Sequence, residues 1–89
     1  MKAVITVVGR DAKGIIAKVS AKCAEAGGNI VDISQSVLKE YFAMIMVIEI
    51  AELKVPFTAF ADELRIFGES ENLDIRAMHE SIFNAMHKI

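Results

Sequence analysis

The residues best suited to chemistry fall in one stretch, Gly9-Arg10-Asp11-Ala12-Lys13-Gly14-Ile15-Ile16, with Gly27-Gly28-Asn29 following further on. Glycine at 9 and 14 lets backbone approach a ligand or a neighbouring strand, because no Cβ stands in the way. The polar loop leads into apolar residues at helical spacing. First-turn N–H groups and the positive end of a helix dipole favour a carboxylate or other anion there. The stretch therefore reads as an anion-receiving corner. On physics alone it reads equally as an ordinary strand-to-helix connection, with Asp11 serving as an Asx-turn or cap residue.

The remaining chemistry-bearing residues favour structural roles. Cys23 falls on an apolar helical stripe beside Val19 and reads as a small core residue. Met44 and Met46 read as core strand residues. His79, Glu80 and His87 offer two imidazoles and a carboxylate, but their spacing crosses a strand-to-helix junction and no second cluster completes four ligands. No Ser-His-Asp or Cys-His arrangement, phosphate loop or zinc-protease motif is present, and the carboxylates are scattered. The expectation is a protein without catalysis, metal or cofactor.

These residues are positioned by a short, apolar chain. Its 89 residues suit one domain, 1–89, with a core over 2–80 and a C-terminal helix over about 81–88. Hydrophobic residues make up 54% and charged residues 25%, which is rich for a small monomer and points to surface buried against another chain. A net charge of −2 argues against a nucleic-acid partner, since phosphate binding needs a basic face. One cysteine excludes an internal disulfide and fits a reducing compartment. With no signal-peptide pattern and no apolar run long enough to span a bilayer, the expectation is a cytoplasmic protein without a membrane partner.

Residues 2–8 form a first strand, apolar on both faces. A helix follows with Ile15, Ile16, Val19, Cys23 and Ala26 on one stripe, ended by Gly27-Gly28. Asn29 to Leu38 alternates as a second strand, Val31, Ile33, Gln35 and Val37 on one side and Ile30, Asp32, Ser34, Ser36 and Leu38 on the other. Lys39-Glu40 makes a hairpin turn, although it lacks the glycine of the favoured types. Tyr41 to Ile50 is a third strand, again apolar on both faces. Pro56 suits a helix start, and Phe57, Phe60, Ala61, Leu64 and Phe67 form its stripe. Gly68 ends that helix, or it runs to about 71 with Asn72 as the left-handed cap. Leu73 to Glu80 is a fourth strand, and Ser81 caps a short last helix. The fold class is α+β: a ferredoxin-like β-α-β-β-α-β sandwich with an antiparallel sheet ordered 4-1-3-2. Two main helices cover one face only, so the tail helix, a partner chain or both must cover the other. A homodimer is the preferred solution.

Taken together, Gly9-x-Asp11-x-x-Gly14-Ile15, Val19 and Gly28-Asn29-Ile30-x-Asp32-x-x-Gln35, set in this element order, resemble the ACT domain over residues 2–80. The tail from His79 to Ile89 resembles the end of stand-alone ACT proteins of unassigned function, related to the glycine-cleavage transcriptional repressor. The resemblance implies a regulatory module that binds amino acids or other small effectors where two domains meet. It places the pocket at Arg10, Asp11, Lys13, Gly14 and Ile15, with Asn29 and Ile30 at the mouth of the second strand. Helix N–H groups would take a ligand carboxylate and Asp11 or Asp32 its ammonium, while Asn29 and Gln35 offer both donor and acceptor. The family is usually fused to an enzyme or a DNA-binding unit. This chain has no room for one, so the regulated protein is expected to be a separate polypeptide. The alternatives are an interaction module without ligand and, last, a metal-binding protein using His79 and His87.

Overall fold

The computed structural model describes residues 1–10 and 13–87, apart from the side chain of Leu38. Its elements run β1 (Lys2–Gly9), α1 (Ile15–Glu25), β2 (Asn29–Leu38), β3 (Tyr41–Glu49), α2 (Phe57–Ser70), β4 (Asp74–His79) and α3 (Glu80–Met86). The four strands form one sheet in the order β2-β3-β1-β4, which is the expected 4-1-3-2 order read from the other edge. Every pairing is antiparallel. Since β1 and β2 both oppose β3, they run in the same direction.

The register assigns the two faces. Ala3, Ile5 and Val7 stand opposite Ile48, Met46 and Met44 on one face, and Ile75 lies opposite Val7 on the other side of β1. All of these are buried, and they form one core with Ile15, Val19 and Cys23 of α1 and Phe60 and Leu64 of α2. In each helix the buried residues recur every four positions, Ile15-Val19-Cys23 and Phe60-Leu64-Gly68, so each presents a single stripe to the sheet. Gly68 lies inside α2, which runs on to Ser70, and Asn72 takes the left-handed conformation at φ 58°. A Cβ at Gly68 would lie 2.8 Å from Ile75 Cγ1 and 2.9 Å from the Leu73 carbonyl oxygen. Glycine is needed there for close packing of helix on strand.

Two local expectations are corrected, and one of two alternatives is decided. Strict alternation along β2 fails, because a bulge between Ile30 and Asp32 adds a residue at Val31. Ile30 and Ile33 consequently both pack against the core, while Val31 is exposed. Ser81 does not cap the last helix, which begins at Glu80 with His79 in the cap position. At Gly9 the close approach is to Leu73 of the same chain, whose Cδ2 occupies the space a Cβ would need. The Lys39-Glu40 turn forms as expected, with Lys39 at φ 56°.

Candidate ligand-binding site

The first half of the site is the start of α1. Gly14 is its N-cap at φ 75°, with nothing within 4 Å of where a Cβ would stand. It carries no side chain to cap the helix, and its carbonyl accepts the Lys18 N–H at 3.1 Å. The N–H groups of the first turn are donors left over by helix geometry, and no acidic residue occupies that turn. Ile15 is buried in the core, so its backbone rather than its side chain faces this corner. Arg10 carries its guanidinium 5.6 Å from the centre of the Tyr41 ring, a cation–π contact. Lys13 is exposed. Asp11 lies outside the described residues.

The second half surrounds Asn29, which stands opposite Glu49 at the start of β2. A cleft of about 380 Å³ is lined here by Gly27, Asn29, Glu49, Ala51 and Glu52. Glu49 accepts a hydrogen bond from the Met1 ammonium at 2.9 Å and one from the Ala51 N–H at 3.0 Å. These bonds, the ammonium's first, hold its carboxyl below the usual carboxylate range. Glu52 has no ion-pair partner among the described residues. Sequence reasoning missed both glutamates, since they stand where a strand runs out. A plain hairpin drawn from Leu38 opposite Tyr41 would set Asn29 against Ile50; the bulge between Ile30 and Asp32 moves Glu49 opposite Asn29, so the sequence held no signal for it.

Ile30 packs half-buried against the core. Asp32 is exposed and lies opposite Val47, on the face away from the two main helices, and its Oδ1 accepts the Ile33 N–H at 2.9 Å. Gln35 is exposed and lies opposite Met44, on the helix-bearing face. Asp32 and Gln35 therefore point to different sides of the sheet. A second cleft of about 380 Å³, lined by Met1, Lys2, His79, Glu80 and Ser81, includes none of the residues predicted to bind the small ligand, but holds His79 and Glu80 of the metal-binding alternative. Both histidines are engaged by phenyl rings, His79 with Phe57 at 4.3 Å and His87 with Phe83 at 4.2 Å between centroids.

One chain does not bring the two halves together. Asn29 lies level with Glu49 and Lys2, whereas Gly9, which leads to the α1 corner, lies level with Phe42 and Val37. At about 3.3 Å per strand residue, the length of β1 separates them by about 23 Å.

The arrangement of sheet and helices matches a known group. The family model for the ACT domain matches residues 2–77. This chain belongs to the ACT-domain family. It is 51% identical over 89 residues to the UPF0237 protein of Streptococcus pneumoniae, covering 100% of both chains. Its structure resembles that of an ACT domain protein from the same species, with a TM-score of 0.81, 49% identity and 93% of each chain covered. It also resembles a protein described as a glycine cleavage system transcriptional repressor, at TM-score 0.71 and 28% identity, covering 86% of this chain and 44% of that one. The ACT domain is a regulatory, ligand-binding module. Among the described residues no helix is long and apolar enough to cross a membrane.

Proposed function

We propose that this ACT domain is a sensor for an amino acid or similar zwitterion, bound between two copies of the chain, which passes its state to a separate regulated protein. The observation that carries this reading is the separation of the two half-sites to opposite ends of one sheet. β2 is an edge strand, and α1 packs beside it. A two-fold axis that sets two β2 edges antiparallel brings Asn29 of one copy to the end of the other where α1 begins. Each of the two equivalent sites then holds complementary chemistry. The α1 start of one copy takes the ligand carboxylate. Asn29, Glu49 and Glu52 of the other take its ammonium.

In this reading ligand acts by favouring one arrangement of the pair, which requires different affinity for the two arrangements. The chain itself catalyses nothing. A thermal-shift screen against the twenty amino acids, followed by calorimetry, tests it. A ligand at a hundredfold excess over Kd adds about 2.7 kcal/mol to stability. The expected result is a selective upward shift that Asn29→Ala abolishes. No shift and no heat at millimolar concentration would overturn the amino-acid reading.

A further inference from the structure

We infer that the cleft where β1 begins and β4 passes into α3 is a second small-molecule site, complete within one chain, which takes a zwitterion of dipeptide size. This goes beyond the ligand-binding reading, uses different residues and needs no second copy. The cleft, of about 380 Å³, is lined by Met1, Lys2, His79, Glu80 and Ser81. The antiparallel register builds it. His79 stands opposite Ala3, so the end of β4 lies beside the start of β1, and α3 packs against both strands. Most charged pairs elsewhere close on each other, Lys18 with Glu71, Arg65 with Asp62 and Glu69, Arg76 with Asp74. Lys2 and Glu80 carry opposite charges on the wall of one cleft, and neither side chain has an ion-pair or hydrogen-bond partner among the described residues. Glu49, the cross-strand neighbour of Lys2, is already taken by the Met1 ammonium and the Ala51 N–H.

The neutral polar groups on the wall are equally unengaged. The half-buried His79 ring rests on Phe57, with centroids 4.3 Å apart, and its nitrogens have no hydrogen-bond partner among the described residues. The same holds for the Ser81 hydroxyl. This inventory selects the ligand. The Lys2 ammonium disfavours a metal cation, and the described residues hold no group of three metal-ligating side chains. An anion alone meets Glu80. One positive and one negative charge are matched by a ligand carrying one of each. Lys2 takes its carboxylate and Glu80 its ammonium, both through charge-assisted hydrogen bonds. The backbone of a free amino acid has no further polar group, which leaves His79 and Ser81 without a partner. A dipeptide adds one amide, whose N–H and C=O complement an imidazole and a hydroxyl, each able to donate and accept. The volume of the cleft falls at the lower end of the ~300–1,000 Å³ of small-molecule pockets.

Calorimetry on the full chain with glycylglycine and alanylalanine at millimolar concentration tests this, with circular dichroism to confirm that each variant folds. The expected result is saturable heat, weakened about tenfold or more by Lys2→Met and by Glu80→Gln and unchanged in Asn29→Ala. Glycylglycinamide, which lacks the carboxylate, should bind the wild type and Lys2→Met alike. N-acetylglycylglycine, which lacks the ammonium, should bind the wild type and Glu80→Gln alike. No heat from either dipeptide, or heat that both variants leave intact, overturns the inference without touching the two-copy reading. Heat lost in Asn29→Ala alone assigns the dipeptide to the two-copy site and overturns it as well. Free glycine binding as tightly as glycylglycine, with the same loss in Lys2→Met, overturns the dipeptide class. Should a variant misfold, amide spectra of ¹⁵N-labelled wild type with the same probes decide. Shifts centred on Lys2, Glu80 and Ser81 support the cleft, and shifts confined to Gly14 and Asn29 overturn it.

Discussion

Asn29 and Gly14 belong to opposite ends of the same sheet, Asn29 level with the first residue of β1 and Gly14 following its last. A ligand small enough for the cleft at Asn29 cannot span about 23 Å of strand. Binding that depends on both residues thus requires two chains, and this can be tested by complementation. Asn29→Ala and Gly14→Val each spoil one half-site, so each variant alone is expected to lose ligand heat. Mixed after unfolding and refolding, half the random dimers are heterodimers carrying one intact site of two. About one quarter of the wild-type stoichiometry should return. No recovery in a mixture that refolds and exchanges would place both residues in one chain's site or in none.

Gly68→Ala should destabilise the fold by about 1–3 kcal/mol, as overpacking does. The sign is opposite to the ordinary helix rule, under which alanine gains about 1 kcal/mol over glycine. Here the new methyl meets Ile75 and the backbone at Leu73, and a backbone carbonyl has little room to retreat. Urea unfolding of the two proteins checks this. A variant more stable than the wild type would show that α2 stands further from β4 than described.

Lys39→Gly should stabilise by about 0.5–1 kcal/mol. Lys39 holds φ 56° in the hairpin between β2 and β3, where a Cβ costs about 1–2 kcal/mol and glycine does not. Part of that gain is returned through the greater freedom of glycine in the unfolded chain. For a domain of this size the midpoint of thermal unfolding should rise by a few degrees. A fall would mean that the Lys39 side chain holds the turn by contacts worth more than the strain.

The sequence made the element order legible because periodicity is a local property. Val4 to Val8, but for Thr6, and Tyr41 to Ile48 are apolar on both faces, and such strands need cover on both sides, which placed β1 and β3 at the centre. Phe57, Phe60, Leu64 and Phe67 announced α2 in the same way. The bulge at Val31 was not legible, because nothing in Ile30-Val31-Asp32 distinguishes an inserted residue from an alternating one; the partner strand decides it. Ser81 misled as a cap because β4 hands over directly to α3 at His79. The glycines showed where backbones approach but not what they approach. At Gly9 the neighbour is Leu73, distant in sequence. The separation of Asn29 from the α1 corner follows from β1 and β2 being parallel, a consequence of topology that no motif spacing displays.

Cys23 ties core packing to the alkaline limit of stability. Its side chain is fully buried among apolar neighbours, and burial pushes the thiol from 9.0 up to about 11. The folded state therefore keeps its proton at pH values where the unfolded chain releases it. Stability depends on the difference in bound protons between the two states, so it should fall as pH rises above about 9. The slope approaches 1.4 kcal/mol per pH unit and flattens once pH passes about 11, where the folded thiol also ionises. Below pH 9 the thiol contributes no slope. Urea unfolding from pH 8 to 11, with Cys23→Ala as control, isolates this effect from lysine and tyrosine titration. The variant should be less stable at neutral pH, because it leaves a small cavity, and its decline with pH should be shallower. In the same protein at neutral pH, a thiol reagent should react only after denaturant is added. Parallel pH profiles for the two proteins, or prompt reaction in the native state, would show that the thiol is open to water and that α1 does not seal this part of the core.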